Sequence, residues 1–71
     1  MGRTLFDRAS EALDSIEIGK TLDIPTVMES NAREVLKKLT EWGYNYSVVR
    51  QGYDEDNYFL HLKKLGDRKD A

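Results

Sequence analysis

The sequence predicts a small α+β domain with its elements in the order α-β-α-β-β, and three observations carry that prediction. Apolar residues recur at steps of three and four in two segments, from Phe6 to Ile16 and from Ala32 to Trp42, as on one face of a helix. Three short stretches, 20–24, 44–50 and 58–65, are rich in β-branched and aromatic residues and alternate with polar ones. The chain has 71 residues, room for one core and not two, so all five elements must share it. Residues 1–65 therefore read as a single domain, and 66–71 as a polar C-terminal tail expected to fray.

The first helix is expected over residues 4–15. Thr4 suits its cap, and Asp7, three positions on, suits the positive end of the helix dipole. Its buried stripe is Phe6, Ala9, Leu13 and Ile16. Gly19 then separates the helix from a strand at Lys20–Ile24, which Pro25 is expected to stop. Two caps compete for the second helix: Thr26, with Glu29 at capping-box spacing, and Ser30. From Ala32 the helical signal is continuous, and Gly43 ends it in the usual C-terminal position. Strands at 44–50 and 58–65 flank an expected loop at 51–57 and read as an antiparallel hairpin. Three strands, mainly antiparallel, with a helix packed on one face leave the other face uncovered, because no further element remains to cover it. The expected core joins Phe6, Ala9, Leu13, Val35, Leu36 and Leu39 to Tyr46, Val48, Leu60 and Leu62.

Composition excludes several classes of function. There is no cysteine, hence no disulfide, thiol nucleophile or thiolate metal site. No apolar run is long enough to span a bilayer and the first ten residues do not read as a secretory signal, so a cytoplasmic protein with no membrane partner is expected. Net charge is −2, without the basic excess of a strong nucleic-acid binder. The charge is unevenly spread: residues 1–30 carry three basic against six acidic side chains, and residues 31–71 carry eight against seven. His61, the one histidine, has neither ligand spacing nor a triad partner in sequence and reads as a strand-face residue. Asp54-Glu55-Asp56 lacks the central glycine and distal glutamate of a calcium loop and reads as a solvated hairpin tip. No phosphate-cradling glycine loop or nucleophile elbow is present, and no cofactor or metal is implied.

The aromatic residues are more informative. Trp42, Tyr44, Tyr46, Tyr53, Tyr58 and Phe59 all fall between positions 42 and 59. If Leu60 and Leu62 are core, alternation puts Phe59, His61 and Lys63 on the uncovered sheet face with Val49. Such a face can dock a protein through an aromatic anchor ringed by charge, or stack single-stranded nucleic acid. The outer face of the second helix, with Arg33, Lys37 and Lys38, also carries Glu34 and Glu41, which repel phosphate.

The order of elements resembles the short βαββ proteins common in bacteriophage genomes. The residues that carry the resemblance are Ile18 to Pro25, Asn31, the basic helix through Lys37-Lys38-Leu39, Tyr46 to Gln51, and Tyr58 to Leu62. It covers about two-thirds of the chain and rests on pattern, with departures in the acidic loop and the acidic first helix. It implies a small accessory protein that modulates a host machine or binds nucleic acid.

The sequence thus predicts a non-enzymatic regulatory or host-modulating protein that docks onto another protein. Its candidate contacts are Tyr53, Asp54, Glu55, Asp56, Phe59, His61 and Lys63. The alternative is a nucleic-acid-binding module using Arg33, Lys37, Lys38, Arg50, Lys63 and Lys64. A homodimer formed through an unpaired edge, at 20–24 or 58–65, is the further expectation.

Overall fold

A complete capping box starts the first helix, α1 (Leu5–Ser15): Asp7 N–H donates to the Thr4 hydroxyl at 3.1 Å, and Thr4 N–H to the Asp7 carboxylate at 3.2 Å. The computed structural model describes residues 4–26 and 28–69; Met1–Arg3, Val27, Asp70 and Ala71 lie outside the described residues. The helix lacks a basic residue in its last turn, and Lys64 supplies the charge from across the fold, its ammonium donating to the Ile16 carbonyl at 3.0 Å. After α1 come β1 (Thr21–Thr26), α2 (Glu29–Glu41), β2 (Tyr46–Asp54) and β3 (Asn57–Lys64), in the expected α-β-α-β-β order. The sheet is fully antiparallel with the order β1-β3-β2.

The strand expected from residue 44 begins at Tyr46, since Tyr44 N–H is bonded to Leu39 O at the end of α2, and three other expected boundaries shift for local physical reasons. β1 runs through Pro25 to Thr26 instead of stopping at Ile24. Backbone direction along β3 explains why. Lys64 exchanges both its groups with the β1 side, donating to Lys20 O at 2.9 Å and accepting from Gly19 N–H at 2.8 Å, whereas Leu65 N–H turns to Asn45 O, beside β2. Alternation then points the backbone of residues 58, 60 and 62 at β1, and of 57, 59 and 61 at β2. In β1 the groups of Leu22, Ile24 and Thr26 therefore face the ladder, and those of Thr21, Asp23 and Pro25 face the open edge. Pro25 sits where its missing N–H costs no sheet bond.

Neither expected cap starts α2, whose N-cap is Met28, with no side-chain bond. Thr26 is instead buried at the end of β1, its hydroxyl within 3.0 Å of Tyr58 O and 3.2 Å of Met28 O. Ser30 lies inside the first turn of the helix. At the other end Gly43 behaves as expected: with φ +83° it lets Gly43 N–H reach Thr40 O at 3.1 Å and Tyr44 N–H reach Leu39 O at 3.0 Å.

The expected loop at 51–57 is only a two-residue turn, Glu55-Asp56, because β2 continues to Asp54. Glu55 adopts φ +59°, a left-handed conformation that costs a side-chain-bearing residue about 1–2 kcal/mol. Glu55→Gly is therefore expected to raise stability by about 0.5–1 kcal/mol in urea denaturation; an unchanged or lower midpoint contradicts this turn geometry.

Both helices lie on one face of the sheet. The core joins Ala9 and Leu13 of α1, Ala32, Val35 and Leu39 of α2, Ile24 of β1, and Tyr58, Leu60 and Leu62 of β3. β2 contributes no fully buried residue, and Val48, expected in the core, is 37% exposed. The helices pack over β1 and β3, and β2 reaches α2 at its first residue, where the Tyr46 hydroxyl donates to Leu36 O at 3.0 Å. The tail expected to fray is held along residues 66–69: Lys69 N–H donates to Gly43 O at 2.8 Å, and the Arg68 guanidinium lies 5.5 Å from the Tyr44 ring centre. β3 is the central strand, so an edge at 58–65 is not available to a second copy; the free edges are β1 and β2. No helix among the described residues is long and apolar enough to cross a membrane.

Candidate functional site: the uncovered sheet face

The face opposite the helices is built from three rows that alternation brings together. β3 presents Asn57, Phe59, His61 and Lys63; β1 presents Thr21, Asp23 and Pro25; β2 presents Arg50, Gly52 and Asp54. A β-bulge between Val48 and Arg50 decides what β2 offers. It inserts Val49, so that Arg50 stands opposite His61. The Arg50 guanidinium lies 5.5 Å from the centre of the Phe59 ring, within cation–π range. Gly52 is the register partner of Phe59, and a Cβ added there would meet the ring at 3.9 Å, an ordinary contact. The ring stands in the middle of the face, with Pro25 opposite it on β1 and the Arg50 cation beside it.

Cross-strand pairing gives His61 the partner that the sequence did not show. Asp23 is directly opposite it, and the Asp23 carboxylate accepts from His61 Nδ1–H. The pair stands on an open surface: the side chains are 29% exposed for His61 and 73% for Asp23. Among the described residues, no three His, Asp or Glu side chains group closely enough to hold a metal ion. A shallow depression of about 530 Å³ lies beside the pair, lined by Asp23, Pro25, Arg50, Tyr53, Asp54 and Phe59. Charge is graded along this face, with Asp54, Glu55 and Asp56 at the hairpin end and Lys63 at the far end of β3.

The expected protein-contact set is largely brought together. Phe59, His61, Lys63 and Asp54 share the open face, and Glu55 and Asp56 form its acidic tip. Tyr53 departs: its register partner is Tyr58, and the two rings meet edge-on at 4.9 Å on the helix side, although Tyr53 still reaches the rim of the depression. Asp23, Pro25 and Arg50 were missing from the expected contacts. Period-two alternation already sets Asp23 and Pro25 apart from Leu22 and Ile24; what it cannot show is that β1 lies beside β3.

The expected nucleic-acid set is divided among three places. Arg33, Lys37 and Lys38 are on α2, in the helical layer, and Arg33 is paired with Glu29 at 2.7 Å. Arg50 and Lys63 are on the opposite side of the sheet. Lys64 turns to the helix side and is bonded to Ile16 O. Tracking a phosphate backbone requires a continuous basic path, and these six side chains do not form one. Against known proteins, no family model, curated protein or solved structure matches this chain.

Proposed function

We propose that this chain is a small non-enzymatic regulatory protein of the cytoplasm that works by docking its uncovered sheet face and acidic hairpin tip onto another protein. The observation that carries this reading is the Phe59 ring at the centre of the face, flanked by Pro25 and Arg50 and bordered by charge of opposite sign at the two ends. An aromatic anchor with a charged rim is the usual anatomy of a protein-contact patch. The partner it fits presents an apolar side chain to the depression beside Phe59 and basic groups to Asp54, Glu55 and Asp56. A host-modulating role, which the resemblance to phage accessory proteins implies, is one use of such a surface.

Affinity capture from cells of the source tests the reading. Capture by the native chain should be lost with Phe59→Ala combined with Asp56→Lys and retained with Lys37→Glu combined with Lys38→Glu, each variant first shown folded by circular dichroism. The reverse pattern overturns it. So does tight binding of labelled DNA or RNA that weakens steeply with salt and is abolished by the two lysine reversals.

A further inference from the structure

The two free edges of the sheet are not equivalent. On β1, the outward-facing backbone position at residue 25 is proline, which offers no N–H, and the neighbouring outward position carries the Asp23 carboxylate. Proline and inward- or edge-placed charge are the ordinary means of refusing another strand. β2 is guarded only in its first half, by the bulge between Val48 and Arg50; from Arg50 to Asp54 its pairing with β3 is regular. Its pairing with β3 turns the groups of Arg50, Gly52 and Asp54 into the ladder and leaves both groups of Gln51 and Tyr53 facing outward over the hairpin half of the strand. Three of the exposed large apolar side chains, Val48, Val49 and Tyr53, also lie on this strand.

The same strand is complementary to itself. We infer that two copies of this chain pair antiparallel along β2 about a two-fold axis through Gly52. In that register Gln51 of each copy exchanges backbone bonds with the partner's Tyr53, so all four outward-facing residues are satisfied at once. Arg50 of each copy stands opposite the partner's Asp54 in a non-hydrogen-bonded pair, where side chains come closest. The two glycines face each other across the axis. A register centred on Arg50 would set two guanidinium groups against each other. One centred on Gln51 would leave Arg50 and Asp54 without partners across the seam. Only even registers keep outward groups opposite outward groups, and of these the Gly52 register joins the charges.

The consequence is a continuous six-stranded antiparallel sheet in the order β1-β3-β2-β2-β3-β1. A two-fold axis normal to the sheet keeps all four helices on one side and both Phe59 faces on the other. This inference rests on the β2 edge and not on the docking reading of the open face, and each can fail alone.

Sedimentation equilibrium on the full chain, with three charge variants, tests the pairing. The native chain should dimerise. Arg50→Glu and Asp54→Arg should each weaken the dimer by roughly tenfold or more, because two symmetry-related pairs turn from attraction to repulsion. Arg50→Glu with Asp54→Arg together should return it to within about threefold of the native value, since the pairs are restored with the signs exchanged. Circular dichroism confirms that each variant is folded. A native chain that stays monomeric at about 1 mM overturns the inference. A dimer indifferent to the single reversals, or one that the double reversal does not rescue, overturns the Gly52 register.

Discussion

Leu60→Ala is expected to destabilise the protein by roughly 3–4 kcal/mol, the largest effect of any single truncation in the core. Leu60 is fully buried at the middle of the central strand, with Ile24 beside it on β1 and Gln51 on β2, beneath the helical layer. Truncation there leaves a space in the core cluster that Leu60 shares with Leu13, Val35, Leu39 and Ile24, and a 71-residue chain has little material with which to close it. A domain of this length holds on the order of 4–10 kcal/mol in total, so the variant should be partly unfolded at 37 °C. Val49→Ala is the control: Val49 is 52% exposed on the bulge, and its loss should cost within about 0.5 kcal/mol. Urea denaturation of the two variants measures the difference, and a Leu60→Ala cost below about 1 kcal/mol would contradict the central position of β3.

Gly43→Ala is expected to cost about 2 kcal/mol, from two separable sources. The backbone at Gly43 has φ +83°, which disfavours any residue with a Cβ by about 1 kcal/mol. A Cβ at this position would also fall 2.3 Å from the Lys69 carbonyl oxygen, so the chain at 66–69 would have to lift away. That movement breaks the Lys69 N–H bond to Gly43 O and carries Arg68 off the Tyr44 ring. Truncation after Gly66 separates the two: in the shortened chain the same substitution should cost only about 1 kcal/mol, the conformational part. Equal costs in the long and short chains would mean that the last residues do not pack on the end of α2.

The fold class, the element order and the antiparallel sheet were legible in the sequence because two apolar periodicities, 3.6 and 2, leave little ambiguity over segments of this length. The capping box at Thr4 and the stop at Gly43 were legible because each is a local chemical need met by one residue type. What was lost depended on contacts between distant segments. Pro25 reads as a strand breaker until β1 is known to be an edge strand with that position facing outward. Thr26 reads as a helix cap until Tyr58 O is known to lie 3.0 Å from its hydroxyl. The bulge at Val49 carries no signal of its own, yet it sets Arg50 opposite His61 on the open face, with its guanidinium beside Phe59. The acidic tip, Phe59, His61 and Lys63 followed from alternation alone. Asp23, the partner of His61, is 38 residues away in sequence and needed the strand order.

Site-specific photocrosslinking compares the two sides of the sheet directly. A benzophenone side chain is placed at His61 on the open face in one variant and at Lys37 on α2 in another, and each is irradiated in cells of the source. Docking through the open face gives covalent adducts with a protein other than this chain from position 61, and few or none from position 37. Adducts arising from position 37 alone, or adducts with nucleic acid in place of protein, would contradict it.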